Sequence, residues 1–197
     1  MQTVAAFDFD GTITTSDSLY HFIRFSHSNW VFVKGAIVLS PMILAFKLGL
    51  IGNQKAKEIT LKYFFGGFTD AEMQVKAQAF AEQRLPELLR PKALQKIRWH
   101  KQQGHRLVLV SASIEAYLRP WAKAYGFDDV CSSRLEVQKE RLTGRLDGKN
   151  CYGPEKVARL EACVGPLSSI CLYAYGDTRG DYDMLALATY PAFRVFE

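Results

Sequence analysis

The sequence has no Cys-x-x-Cys pair; its four cysteines, Cys131, Cys151, Cys163 and Cys171, stand far apart. That spacing excludes a zinc knuckle or a redox dithiol and leaves them reading as reduced core thiols. Repeats and low-complexity linkers are missing too, and 48% apolar with 23% charged residues marks an ordinary globular chain. Its 197 residues allow one core with an insertion and are short for two independent domains. No dense Lys/Arg run is interleaved with aromatics, so nucleic acid is not an expected partner, although the formal charge of +5 suits an anionic ligand.

A charged start followed by an apolar leader is also lacking. The segment carrying Asp8 begins almost at the first residue, so a cytoplasmic location is expected. Nor does any apolar run reach the roughly 20 residues that a bilayer-spanning helix needs. The nearest is Gly35 to Phe46, uncharged between Lys34 and Lys47, continued by Leu48 to Ile51 and interrupted by Pro41. A buried hairpin of helices is the preferred reading of it; a peripheral membrane contact through residues 30–51, at the inner face of the membrane, stays open beside that.

What is present is an alternation. Short apolar runs at Val4 to Phe9, Arg106 to Val110, Ser169 to Tyr175 and Ala192 to Phe196 read as buried strands. Between them lie helical patterns. One starts at Pro91, carries Leu94 and Ile97 on one face, and stops at Gly104. The next places Ile114, Tyr117, Leu118 and Trp121 on one face, with Ser113 as its expected cap and Gly126 closing it. Strands alternating with such helices imply an α/β fold with a doubly wound parallel sheet, and Ser133 to Gly148 reads as a short hairpin inside it. Residues 14–90 are instead helical throughout, with Leu19, Phe22 and Ile23 on one stripe and a Thr69–Glu72 capping box opening a helix with Met73, Ala77, Phe80 and Ala81 inward. The expected organisation is a core of residues 1–13 and 91–197 with a helical cap, 14–90, inserted after the first strand.

Four segments carry chemistry. Asp8 and Asp10 end the first strand two residues apart, and two carboxylates closing an apolar strand call for a cation; carboxylate and carbonyl oxygens suit Mg²⁺. Asp10-Gly11 alone could also turn a β-hairpin. Ser111, at the end of the second strand, can hold an anion's oxygen beside a helix start. Lys156 stands in the first turn after Pro154, where the helix dipole disfavours a cation, so it asks for a negative partner; Lys149, in a turn, competes for that role. Lastly, Gly176-Asp177-Thr178-Arg179-Gly180-Asp181 clusters carboxylates after another apolar strand.

In this order the segments resemble the haloacid dehalogenase-like superfamily, in its phosphoserine-phosphatase-like branch with a helical cap. The resemblance rests on Asp-x-Asp-Gly-Thr at 8–12, Ser111, Lys156 and Gly-Asp-x-x-x-Asp at 176–181, and covers nearly the whole chain. It implies a phosphatase with Asp8 as nucleophile and Asp10 as general acid and base. Mg²⁺ would be held by Asp8, the Asp10 backbone carbonyl and Asp177, with Asp181 in support, while Thr12, Ser111 and Lys156 would hold the phosphoryl oxygens. Asp10 favours phosphate monoesters over halide chemistry. Asp17 falls where the branch places an acidic substrate residue, but Ser111-Ala112-Ser113 departs from its usual Ser-Gly-Gly, which argues against phosphoserine. The apolar cap also resembles that of a bacterial phosphatidylglycerophosphate phosphatase, so the expected substrate is a small soluble phosphomonoester or a lipid phosphate. A phosphotransferase or phosphomutase of the same superfamily, a receiver-like domain and a non-catalytic membrane-associated protein are the alternatives. A receiver needs its acceptor aspartate on an interior strand, and here that strand ends in Ser111.

Overall fold

The computed structural model describes residues 2–197. The first apolar run forms β1, Thr3–Phe7, and its side chains divide by period two: Val4 and Ala6 enter one core, Ala5 and Phe7 the other. Burial on both faces explains why the run is apolar throughout rather than alternating. β2 (Arg106–Ile114) and β5 (Cys171–Gly176) are buried in the same way, and the short β6 (Tyr190–Phe193) forms an exposed edge. Between β2 and β5 lie β3 (Asp129–Gln138) and β4 (Arg141–Asp147), the hairpin of the 133–148 region. The six strands run in the order β4-β3-β2-β1-β5-β6, parallel except for the β3/β4 pair. The fold is therefore α/β with a doubly wound, predominantly parallel sheet. The chain winds outward from β1 first through β2 and later through β5, so the crevice at the carboxyl ends of these strands is a topological switch point, where α/β sheets bind ligands.

Four helices form an insertion directly after β1: α1 (Ser18–Ser26), α2 (Asn29–Lys47), α3 (Asn53–Phe65) and α4 (Asp70–Gln83). The stem of this insertion is tied where it leaves and returns, by Thr15 N–H to the Leu88 carbonyl (2.8 Å) and Arg90 N–H to the Ile13 carbonyl (2.8 Å). Thr69 and Glu72 close the capping box of α4, and Met73, Ala77, Phe80 and Ala81 are its buried face. The insertion also leans on the hairpin, through Leu142 N–H to the Phe68 carbonyl and Gly67 N–H to the Leu142 carbonyl. After it come α5 (Pro91–Gln102), α6 (Glu115–Tyr125), α7 (Pro154–Val164) and α8 (Tyr182–Ala186). All four cysteines are free thiols, with Cys131 and Cys151 buried.

Several expectations fail. The segment 35–51 is not a buried hairpin: α2 runs unbroken through Pro41, and only Gly35 and Leu39 of it are buried. Pro41 cannot donate to the carbonyl of Ile37, and the Ser40 hydroxyl takes its place at 2.8 Å, so the helix continues. Ser113 does not cap α6, because β2 extends to Ile114 and the Ser113 hydroxyl turns elsewhere. The strand expected from Ser169 starts at Cys171, after a 3₁₀ turn over Leu167–Ser169, and the last one lies at Tyr190–Phe193 rather than from Ala192. Nor is residues 6–15 a hairpin, since β1 pairs with β2 and β5 in the middle of the sheet.

Candidate active site

β1 ends at Phe7, and Asp8 to Thr12 turn over the carboxyl end of the sheet. Gly11 makes the turn at φ +79°, and a Cβ there would lie 2.1 Å from Oδ2 of Asp177. Only glycine allows that backbone to come so close to the carboxylate. Asp8 is thereby set beside β5, its N–H donating to the Tyr175 carbonyl at 2.9 Å.

Lys156 reaches in from the first turn of α7 and is buried with its amine 2.6 Å from Oδ1 of Asp8 and 2.6 Å from Oδ1 of Asp181. Lys149 has no such role; its carbonyl accepts from Arg159. Burial opposes the charge of Lys156, but the two carboxylates outweigh it and hold the amine above its usual range. Asp181 has its other oxygen filled by the N–H groups of Asp177 and Thr178 and by the Thr178 hydroxyl. Asp177 accepts the Thr12 hydroxyl on Oδ1 at 3.0 Å.

Asp8, Asp177 and Asp181 each bring a carboxylate oxygen within 4.8 Å of the others. Fully ionised, the three carboxylates would exceed the one ammonium group by two negative charges in a buried place. Burial first, with Asp181 adding to it against Lys156, pushes the Asp8 carboxyl up to about 8, and burial also raises Asp177. A divalent cation bound to all-oxygen donors answers that excess: Thr12 and Lys156 take Oδ1 of Asp177 and Oδ1 of Asp8, and among the described residues no N–H or O–H donor other than the two carboxyls themselves reaches the Oδ2 atoms. The residues present fit Mg²⁺.

The Asp10 carboxylate is not part of this cluster, so its side chain cannot share the cation with Asp8; only its backbone carbonyl remains for that role. In a strand, period-two alternation would aim both side chains one way, but β1 stops before either. Oδ1 of Asp10 accepts the Ser18 N–H at 2.8 Å and Oδ2 accepts the Ser113 hydroxyl. Ser18 in turn bonds Ser113 (3.1 Å) and Tyr117 (3.0 Å). Burial, then the charge of Asp17, push the Asp10 carboxyl up to about 6, with the serine hydrogen bonds pulling back. Ser111 is buried and accepts the Ser113 N–H at 3.1 Å, which leaves its own proton free to donate. The Thr12 hydroxyl, by contrast, is engaged by Asp177.

A cavity of about 270 Å³ runs between cap and core down to Asp10, lined by Asp17, Leu19, Met42, Phe46 and Lys57 among others. Asp17 caps α1 through the Tyr20 N–H at 2.8 Å and stands at this cavity. Lys57 of α3 crosses from the cap to the Ala112 carbonyl and to Oδ1 of Asn150 (3.1 Å). A larger cavity of about 760 Å³, beside β3 and α6, lies away from the Asp8 cluster. Ser18, Ser113, Tyr117 and Lys57 were not foreseen as site residues. For Ser113 a signal existed, because it stands two residues after Ser111 on one strand.

The family model for haloacid dehalogenase-like hydrolases matches residues 5–186. The chain belongs to this family. Protein CicA of Caulobacter vibrioides is 37% identical over 195 residues, 98% of this chain and 86% of that one. A protein of unknown function from Bordetella pertussis Tohama I superposes with a TM-score of 0.84 at 23% identity, over 96% of this chain and 88% of that one. A phosphoserine phosphatase solved as a phospho-aspartyl intermediate analogue superposes at 0.62 and 18% identity, over 95% and 83%. At these identities the two structures speak for the fold, which this chain shares with phosphoserine-phosphatase-like members of the family.

Proposed function

We propose that this haloacid dehalogenase-like hydrolase is a magnesium-dependent phosphatase that cleaves a phosphate monoester through a phospho-aspartyl intermediate on Asp8. The observation that carries the reading is the separation of two neighbouring carboxylates: Asp8 sits on Lys156 beside Asp177, and Asp10 sits apart on Ser18 and Ser113 with its carboxyl pushed up to about 6. A nucleophile and a proton donor need these different environments.

Asp8 attacks phosphorus as the bond to the ester oxygen breaks, and Asp10 delivers its proton to the departing alcohol. Asp10, now a carboxylate, takes a proton from the water that attacks the phospho-aspartate, releasing inorganic phosphate and restoring Asp8. Lys156 and the Ser111 hydroxyl are placed to hold phosphoryl oxygens through both steps. Mg²⁺, held by Asp8, Asp177 and the Asp10 carbonyl with Asp181 in support, would supply the charge that offsets the phosphoryl oxygens. Water as the final acceptor makes a hydrolase; an alcohol admitted by the cap would make a phosphotransferase or phosphomutase.

The substrate is a small soluble phosphomonoester or a lipid phosphate such as phosphatidylglycerophosphate, met in the cytoplasm or at the inner face of its membrane. Leu19, Met42, Ile43 and Phe46 give the cavity an apolar wall opposite Asp17 and Lys57, which supports an alcohol portion with both apolar and polar parts. The test is hydrolysis of an aryl phosphate with and without Mg²⁺, comparing the wild type with Asp8→Asn. Asp8→Asn keeps the shape and removes the nucleophile, so turnover is expected only in the wild type with Mg²⁺; turnover in Asp8→Asn would overturn the mechanism.

A further inference from the structure

α2 is apolar over most of its circumference. Along its 19 residues, Trp30, Ile37, Leu44 and the following Leu48 fall on one line, at spacings that return to the same face, opposite the buried Gly35 and Leu39. These outward residues are among the most exposed large hydrophobics in the molecule, at 75%, 68%, 58% and 65%, and Leu50 in the following turn is exposed by 73%. With Val31, Val33, Val38, Ile43 and Phe46, nearly half of all the exposed large hydrophobic residues lie between positions 30 and 50. A helix apolar all round is ordinarily covered on every side, and soluble monomers seldom leave so large an apolar patch in water.

The charges around the patch indicate what covers it. From Ser18 to Lys57 there is no aspartate or glutamate, while Arg24, Lys34, Lys47 and Lys55 are exposed in the same span. Lys34 and Lys47 are exposed on α2 itself. A second copy of the chain meeting this face would set lysines against lysines. An anionic lipid surface would neutralise them while taking the apolar side chains into its acyl boundary, with Trp30 at one end of the helix at headgroup depth.

The inward side limits the geometry. Gly35 packs so closely on α3 that a Cβ there would lie 2.3 Å from Phe64, and Leu39 is buried beside it. By length and mean hydropathy (1.6) α2 could cross a bilayer, but crossing would tear this contact away. Its outer face can lie on a membrane with the contact intact. Met42, Ile43 and Phe46 of the same helix line the cavity that descends to Asp10, so the apolar surface is continuous with the mouth of the site.

We propose that the outward face of α2 and the turn after it form a docking surface for an anionic phospholipid membrane, holding the mouth of the active-site cavity against the headgroups. The part played by the cavity rests on the phosphatase reading; the docking itself does not. The experiment is cosedimentation of the full chain with vesicles of equimolar phosphatidylglycerol and phosphatidylcholine, and with phosphatidylcholine alone, at low and high salt. Aryl phosphate turnover is measured on the same samples. The wild type is expected to sediment with the anionic vesicles, less with the neutral ones, and to be released by salt. Ile37→Glu with Leu44→Glu, both on the outer face and outside the cavity lining, should weaken vesicle binding by about tenfold or more with turnover of the soluble aryl phosphate unchanged. Retained turnover shows that the variant is folded.

Equal binding by the variant, or a wild type that stays in the supernatant, would overturn the docking surface. So would a wild-type dimer that the double substitution dissociates, which would assign the face to a second copy, or membrane retention through alkaline carbonate, which would assign it to a span. Vesicle binding without Mg²⁺-dependent turnover would remove the phosphatase reading alone, and turnover without vesicle binding the docking alone.

Discussion

Asp10 accepts a hydrogen bond from the backbone N–H of Ser18 at 2.8 Å, across the junction between the sheet and its inserted helices. The first residue of α1 therefore fixes the orientation of the carboxylate proposed to move the proton. With the Ser113 hydroxyl on its second oxygen, Asp10 is held away from the carboxylate cluster formed by Asp8, two residues before, and by Asp177 and Asp181, far along the chain.

Ser113→Ala follows from this. A hydrogen bond donated to a carboxylate stabilises the charged form, so its loss raises the Asp10 carboxyl above its present value of about 6. The proton donor then stays protonated to higher pH. For an alkyl phosphate, whose leaving group needs the proton, the fall of kcat/KM on the alkaline side is expected to move up by about one pH unit. A profile that moves down, or does not move, would contradict the assignment of Asp10.

Removing the cation is the next prediction. With Asp8, Asp177 and Asp181 facing one lysine, chelation leaves an uncompensated buried charge, and turnover should vanish on treatment with EDTA and return with Mg²⁺. Binding to the folded state alone raises stability by about 2.7 kcal/mol at a hundredfold excess over Kd. Calorimetry should therefore show a higher Tm with Mg²⁺ in the wild type and little Mg²⁺-dependent change in Asp177→Asn.

Lys156→Met strips the buried ammonium from two carboxylates at 2.6 Å. Breaking a buried pair by removing one partner costs about 3–5 kcal/mol, because the remaining charge is left unpaired. We expect a lowered Tm without metal, partly restored by Mg²⁺, and turnover reduced by about 10³-fold or more from loss of a phosphoryl-oxygen contact. Chemical denaturation alongside single-turnover kinetics separates the two effects.

Gly11→Ala tests the turn. At φ +79° the new Cβ would be strained and would meet Oδ2 of Asp177 at 2.1 Å, so the carboxylate must move. Turnover should fall by about a hundredfold or more and the Mg²⁺ concentration for half-maximal rate should rise, with the circular dichroism of the sheet and helices preserved. Wild-type metal affinity in this variant would show that the close approach is unnecessary.

Lys57→Met removes the side chain that joins α3 to the Ala112 carbonyl and to Asn150. Burial pulls the Lys57 amine down to about 8, so the tie weakens on the alkaline side as the charge is lost. In the variant, limited proteolysis should cut the inserted helices faster, and kcat/KM should drop about tenfold as the cap is held less often over Asp10.

Strand and helix periodicity carried much of the architecture in the sequence. Val4 to Phe7 is apolar at every position because both faces of β1 are covered, and Met73, Ala77, Phe80 and Ala81 mark one face of α4 because that face is buried. These are local consequences of backbone geometry, readable without knowing any partner. The order of Asp8, Ser111, Lys156 and Asp177 was readable too, since Asp8 and Asp177 directly follow apolar strands, Ser111 ends an apolar run, and Lys156 stands in the first turn of a helix.

What the tertiary structure alone decided was the partner of each polar group and the cover over each apolar one. Lys156 meets Asp8 across 148 positions of sequence, and nothing local distinguished it from Lys149 beyond its place at a helix entrance. Ser113 has the residue type of a helix cap, but the strand runs one residue past it and Asp10 offers a charged acceptor instead. The apolar run in α2 reads alike whether protein or something else lies against it, because hydropathy records a side chain's cost in water and not what removes it from water. Packing buried only Gly35 and Leu39, with Phe32 and Met42 half-buried against the core, and left most of that helix facing outward beside the entrance to Asp10.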